Sequence, residues 1–83
     1  MIIQAEVSFY PLRTEAVGIE VNRFLTSLRQ SGLQVQTGSM SSRITGELAE
    51  VFAALTDAFS EVAVHSEGVL VVKASNACPP AGD

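Results

Sequence analysis

The stretch Val35–Gly46, VQTGSMSSRITG, decides how this chain is read. It has the form of a strand end, a polar turn and the start of the next strand. Thr37, Ser39, Ser41 and Ser42 lie in or beside the turn, and each can donate or accept a hydrogen bond. Arg43 follows, with five donors in a rigid fork. Several small hydroxyls on one hairpin suit recognition of a small polar molecule. They suit covalent chemistry less well, because no base stands beside them. The plain alternative is a solvated hairpin tip, since Ser, Thr and Gly gather in turns for conformational reasons alone.

Alternation continues on both sides. Leu33 and Val35 fall on one face of the entering strand, with Gln34 and Gln36 on the other. On the leaving strand Ser42, Ile44 and Gly46 share a face opposite Ser41, Arg43 and Thr45. Residues Ile2–Tyr10 alternate too: Ile3, Ala5, Val7 and Phe9 against Gln4, Glu6, Ser8 and Tyr10. Pro11 is expected to end that strand, having no N–H for a ladder.

Two helices fill the gaps. Thr14 is the expected N-cap of the first, with Glu15 favourable in its first turn. Val17, Val21, Phe24, Leu25 and Leu28 form its apolar stripe, and Gly32 is expected to close it in the left-handed conformation. Leu48, Val51, Phe52, Leu55, Phe59 and Val62 form the second stripe. Gly68 is expected to end that helix near Ser66. Val69–Ala74, an apolar run with β-branched residues, makes the last strand, and Ser75–Asp83 is an irregular tail.

The order strand, helix, strand, strand, helix, strand predicts an α+β, ferredoxin-like βαββαβ sandwich: a four-stranded antiparallel sheet with both helices on one face. The third strand should lie between the first and second. Tyr10, Thr14, Thr37–Ser42 and His65–Glu67 should then converge at one end. Parity places Thr37 and Ser42 on the helix-facing side, where an unsatisfied polar group costs roughly 1–3 kcal/mol. That end is therefore open to water or hydrogen-bonded to something, and a pocket between sheet and helices is expected. The outer face carries Gln4, Glu6, Ser8, Tyr10, Gln34, Gln36, Arg43, Val69, Val71 and Lys73. Such a mixed face can pack against its copy. Glu6 is placed to pair with Arg43 or Lys73, which is a structural role more often than a catalytic one.

With 83 residues, the chain is read as one domain, 1–83. So short a domain has a modest core, and self-association is a natural way to enlarge it. A formal net charge of −4 with only five Lys and Arg disfavours a polyanion partner such as nucleic acid. No apolar run approaches the roughly 20 residues of a membrane span, and MIIQAEVSF does not have the form of a signal peptide. Cys78 is the single cysteine. It has no partner for an internal disulfide, and a reducing, cytoplasmic setting is expected.

The familiar catalytic patterns do not occur. His65 has no carboxylate at a regular spacing and suits a helix C-terminus. Cys78 lies in the tail with no evident base. Glu50, Asp57 and Glu61 read as the solvated face of the second helix. There is no phosphate-binding glycine loop, and no metal site is expected. A small enzyme of this fold requires a positioned acid or base, which the sequence does not display. A metabolite-sensing regulatory or assembly module is the alternative class.

SFYPL at 8–12, TGSMSSRITG at 37–46 and ACP at 77–79 before a short Gly-Asp end, taken with the element order, resemble the thiamine-binding (YkoF-like) family. The resemblance covers nearly the whole chain, in the single-domain form. It implies noncatalytic binding of thiamine or its hydroxymethylpyrimidine moiety, in vitamin B1 salvage, transport or sensing, with no cofactor. It also implies homodimers or homotetramers assembled through the sheets. The ligand-binding residues it implies are Ser8, Tyr10, Thr37, Ser39, Met40, Ser42 and Arg43. Met40 or Tyr10 would pack on the ring, and Glu6 would offset the thiazolium charge. A Pro-Pro-Ala insertion before the terminal Gly-Asp departs from the family pattern.

Overall fold

The computed structural model describes residues 1–77. Cys78 and the rest of the tail lie outside that range. The elements are β1 (Ile2–Leu12), α1 (Val17–Gln30), β2 (Gln34–Thr37), β3 (Ser42–Glu47), α2 (Leu48–Ala63) and β4 (Glu67–Ser75). All pairings are antiparallel in the order β2-β3-β1-β4, so the ferredoxin-like topology holds and β3 does lie between β1 and β2.

The alternation of β1 places Ile3, Ala5, Val7 and Phe9 in the core, where Ile44 joins them from β3. Both helices close the same face, α1 with Phe24 and Leu28 and α2 with Val51, Ala54, Leu55, Ala58 and Val62. Fully burying one large apolar side chain stabilises by roughly 1.5–3 kcal/mol. The fully buried Phe24, Leu28, Ile44, Val7, Val51 and Val62 therefore form the main anchor. Phe9 stacks on Phe24 at 5.2 Å between ring centroids and meets Phe59 edge-on at 6.2 Å.

Several expectations are corrected. Pro11 does not end β1: it pairs with Gly68, and the strand runs on to Leu12. The β1–β3 ladder stops at Val7–Ser42, so β1 has an open edge beside Pro11, where a missing N–H is tolerated. Thr14 does not cap α1. Its hydroxyl accepts from the Ala16 N–H at 3.0 Å, forming a turn before a helix whose own first residue is Val17. Val17, Leu48 and Phe52 lie more than two-fifths exposed. Val17 and Leu48 open their helices at the ends of the sandwich, and Phe52 points about 100° away from Val51. Ala54 and Ala58 take the buried places on α2 instead. Gly68 lies within β4, not at a helix end, and α2 stops at Ala63. Gly32 behaves as expected, with φ +81° after α1, and its N–H bonds to the Arg29 carbonyl.

Candidate functional site: a hydroxyl-lined cleft under the hairpin

Unequal strand lengths create the site. β1 has 11 residues and β3 has six, so Ser8–Leu12 pair with β4 but have no β3 partner. The tip 38–41 spans this notch. Gly38 N–H closes the tip on the Ser41 carbonyl at 2.8 Å, and Ser8 Oγ reaches the Met40 carbonyl at 3.4 Å.

Behind the tip lies a cleft of about 220 Å³. Val21, Phe24 and Leu25 of α1 form one wall, Phe9 the apolar base, and Thr37–Ser42 the polar wall. Among the described residues no carboxylate, amine, guanidinium or imidazole lines it. Such a surface matches a flat, neutral ring with hydrogen-bonding atoms on its edge.

Of the residues singled out from sequence, Ser8, Tyr10, Thr37, Ser39, Met40 and Ser42 line this cleft. Ser42 is buried, Tyr10 is half exposed and Met40 is 85% exposed. The Thr37 hydroxyl accepts a hydrogen bond from Arg29 Nη2 at 2.8 Å. Arg43 does not reach the cleft. It stands across the sheet in a shallow depression with Glu6, Gln36 and Ser41, which also borders the tip. A second outer depression gathers Glu6, Ser8, Tyr10, Met40, Val71 and Lys73. Glu6 faces Arg43 and Lys73 across the two ladders, and its carboxylate lies 3.9 Å from Lys73 Nζ.

Thr14 and His65–Glu67 do not join the hairpin. They line a separate cleft with Arg13 and Glu20. Glu20 is buried there, takes a 3.2 Å hydrogen bond from Ser66 Oγ and lies 3.7 Å from Arg23 Nε. Arg13 pairs with Glu67 at the rim. Among the described residues no group of three or more His, Cys, Asp and Glu converges to hold a metal ion. Among them, too, no helix is long and apolar enough to cross a membrane.

Sequence reading missed the α1 wall and Arg29. Val21, Phe24 and Leu25 looked like core residues, and only the register of α1 over the notch turns part of that stripe toward a cleft. The basic last turn of α1 was a signal for Arg29, but a helix dipole explains a basic last turn equally well.

The architecture is that of a ferredoxin-like α+β sandwich with a neutral cleft at one end of its sheet. A family model described as thiamine-binding protein matches residues 5–75. The chain belongs to that family. Comparison with curated proteins gives no match. Among solved structures, the chain is similar to a protein of Streptococcus pneumoniae, with TM-score 0.85 and 14% identity over 90% of this chain and 86% of that one. It is similar to a proposed thiamine biosynthesis/salvage protein of Thermotoga maritima, with TM-score 0.82 and 12% identity over 90% and 83%. A hypothetical protein of Methanocaldococcus jannascii matches at TM-score 0.81 and 28% identity over 89% and 78%.

Proposed function

We propose that this protein binds thiamine or its hydroxymethylpyrimidine half, reversibly and without catalysis, in the hairpin cleft. The observation that carries the reading is the pairing of Thr37, Ser39 and Ser42 with the aromatic rings of Phe9 and Phe24 in a cleft that no charged side chain lines among the described residues. An aminopyrimidine offers ring nitrogens and an amino group to hydroxyls, and a flat face to apolar walls. Membership of the thiamine-binding protein family supports the choice of ligand. So does the salvage role proposed for the structural neighbour from Thermotoga maritima. Ser8, Tyr10 and Met40 form the mouth, and the thiazolium passes over them toward Glu6, with Arg43 at the outer rim. The protein acts in vitamin B1 salvage, transport or sensing, in the cytoplasm, with no cofactor.

Self-association through the sheet accompanies this reading. Tyr10, Leu12, Val69 and Val71 stand 42–51% exposed on β1 and β4, and a second copy would cover such side chains.

Titration calorimetry with thiamine, its phosphates and hydroxymethylpyrimidine tests the ligand. Saturable binding is expected, weakened roughly 2–10-fold by Thr37→Val or Ser42→Ala, the range for one hydrogen bond. No heat and no thermal shift with any of the three removes the proposal.

A further inference from the structure

Arg29 stands outside the cleft, in the last turn of α1. Its guanidinium nevertheless crosses to the hairpin and donates to Thr37 Oγ1 at 2.8 Å. Among the described residues this is the single side-chain hydrogen bond joining α1 to the hairpin. A hydroxyl has one proton and two lone pairs. Arg29 has donors only and is always charged, so it occupies a lone pair and never accepts the proton. Accepting from a cation polarises the O–H and makes it a stronger donor in turn. Thr37 lines the cleft and also borders the outer depression beside Arg43.

We propose that Arg29 is a positioning residue that takes one lone pair of Thr37 Oγ1 and strengthens its O–H as a donor to the cleft, so that the site favours an acceptor atom on its ligand. An unprotonated ring nitrogen or a carbonyl oxygen qualifies. A protonated nitrogen or an amino group at that position has only the remaining lone pair, made a weaker acceptor by the cation, and is disfavoured. The inference rests on the proposed hairpin binding site and deepens it. The rival role for Arg29 is plain stabilisation of the α1 C-terminus through the helix dipole, which does not involve Thr37.

A double-mutant cycle separates the two roles. Hydroxymethylpyrimidine is titrated calorimetrically into the parent, Arg29→Met, Thr37→Val and the double variant, with thermal melting as a check of folding. Arg29→Met is expected to weaken binding roughly 2–10-fold on its own and to add nothing in the Thr37→Val background. In the Thr37→Ser background, where a hydroxyl remains, the Arg29→Met loss returns. Equal losses with and without the Thr37 hydroxyl, or no loss from Arg29→Met, overturn the inference while leaving the binding site in place. A parent protein that binds neither thiamine nor hydroxymethylpyrimidine refutes the site itself, and this inference with it.

Discussion

Gly68→Ala sets two opposed effects against each other. Gly68 lies in β4 opposite Pro11, and its φ is outside the left-handed region. Alanine therefore fits the backbone, and the loss of unfolded-state freedom would stabilise by about 0.4–1 kcal/mol. Packing opposes this. A Cβ at Gly68 would stand 2.5 Å from Phe9 Cε1, 2.6 Å from its Cζ and 3.2 Å from the Tyr10 carbonyl oxygen. Carbon atoms rest at about 3.5–4.0 Å, so the ring must retreat by roughly 1 Å. Phe9 is held between Phe24 and Phe59 and has little room to retreat. Overpacking of this kind costs about 1–3 kcal/mol, which exceeds the entropic gain. The net expectation is a loss of about 1–2 kcal/mol, read as a lower urea midpoint in far-UV circular dichroism at unchanged slope. Phe9→Leu should relieve the clash and make the same alanine nearly neutral. A Gly68→Ala protein as stable as the parent, or more so, would refute the reasoning.

Other perturbations test the remaining supports. Leu28→Ala, at a fully buried site, should cost about 2–5 kcal/mol in urea unfolding through lost burial and a cavity. Gly32→Ala, at φ +81°, should cost about 1 kcal/mol, whereas Gly32→Asn should cost less, because Asn tolerates the left-handed region. Glu20→Ala removes the acceptor of the Ser66 hydroxyl and should cost about 1–3 kcal/mol in the same assay while sparing ligand affinity, since Glu20 lies outside the hairpin cleft. Val71→Glu on the outer sheet face should lower the mass seen by light scattering if the sheet is the contact between copies, leaving the unfolding midpoint at high dilution little changed.

The fold was legible because two periods are clear in the sequence. Ile3, Ala5, Val7 and Phe9 recur every second residue, and Val51, Leu55 and Val62 fall on one helical stripe. Such patterns define strands, helices and the buried face, and the order of elements then leaves few topologies. Places where local chemistry has more than one outlet were not legible. Pro11 is compatible with a strand when one edge is open, and that edge depends on the length of β3. Thr14 accepts a main-chain hydrogen bond as an N-cap would, but it stands two residues before the N-cap position, Ala16. Nothing near Glu20 in the sequence signals its burial, because the turn between α2 and β4 is what brings Ser66 against it. The polar wall of the candidate site was visible as hydroxyls on the hairpin. Its apolar wall was not, because Val21, Phe24 and Leu25 obey the same periodicity whether a neighbouring strand is present or missing.

The central claim is that a neutral ring sits between the hairpin and α1. Amide chemical-shift mapping with thiamine and with hydroxymethylpyrimidine addresses it most directly. The account predicts shifts clustered at Val7–Tyr10, Val21–Leu25 and Thr37–Ser42. Shifts confined to Leu12–Thr14 and Ala63–Glu67, to the Arg43 and Lys73 side of the sheet, or to no residues at all would contradict it.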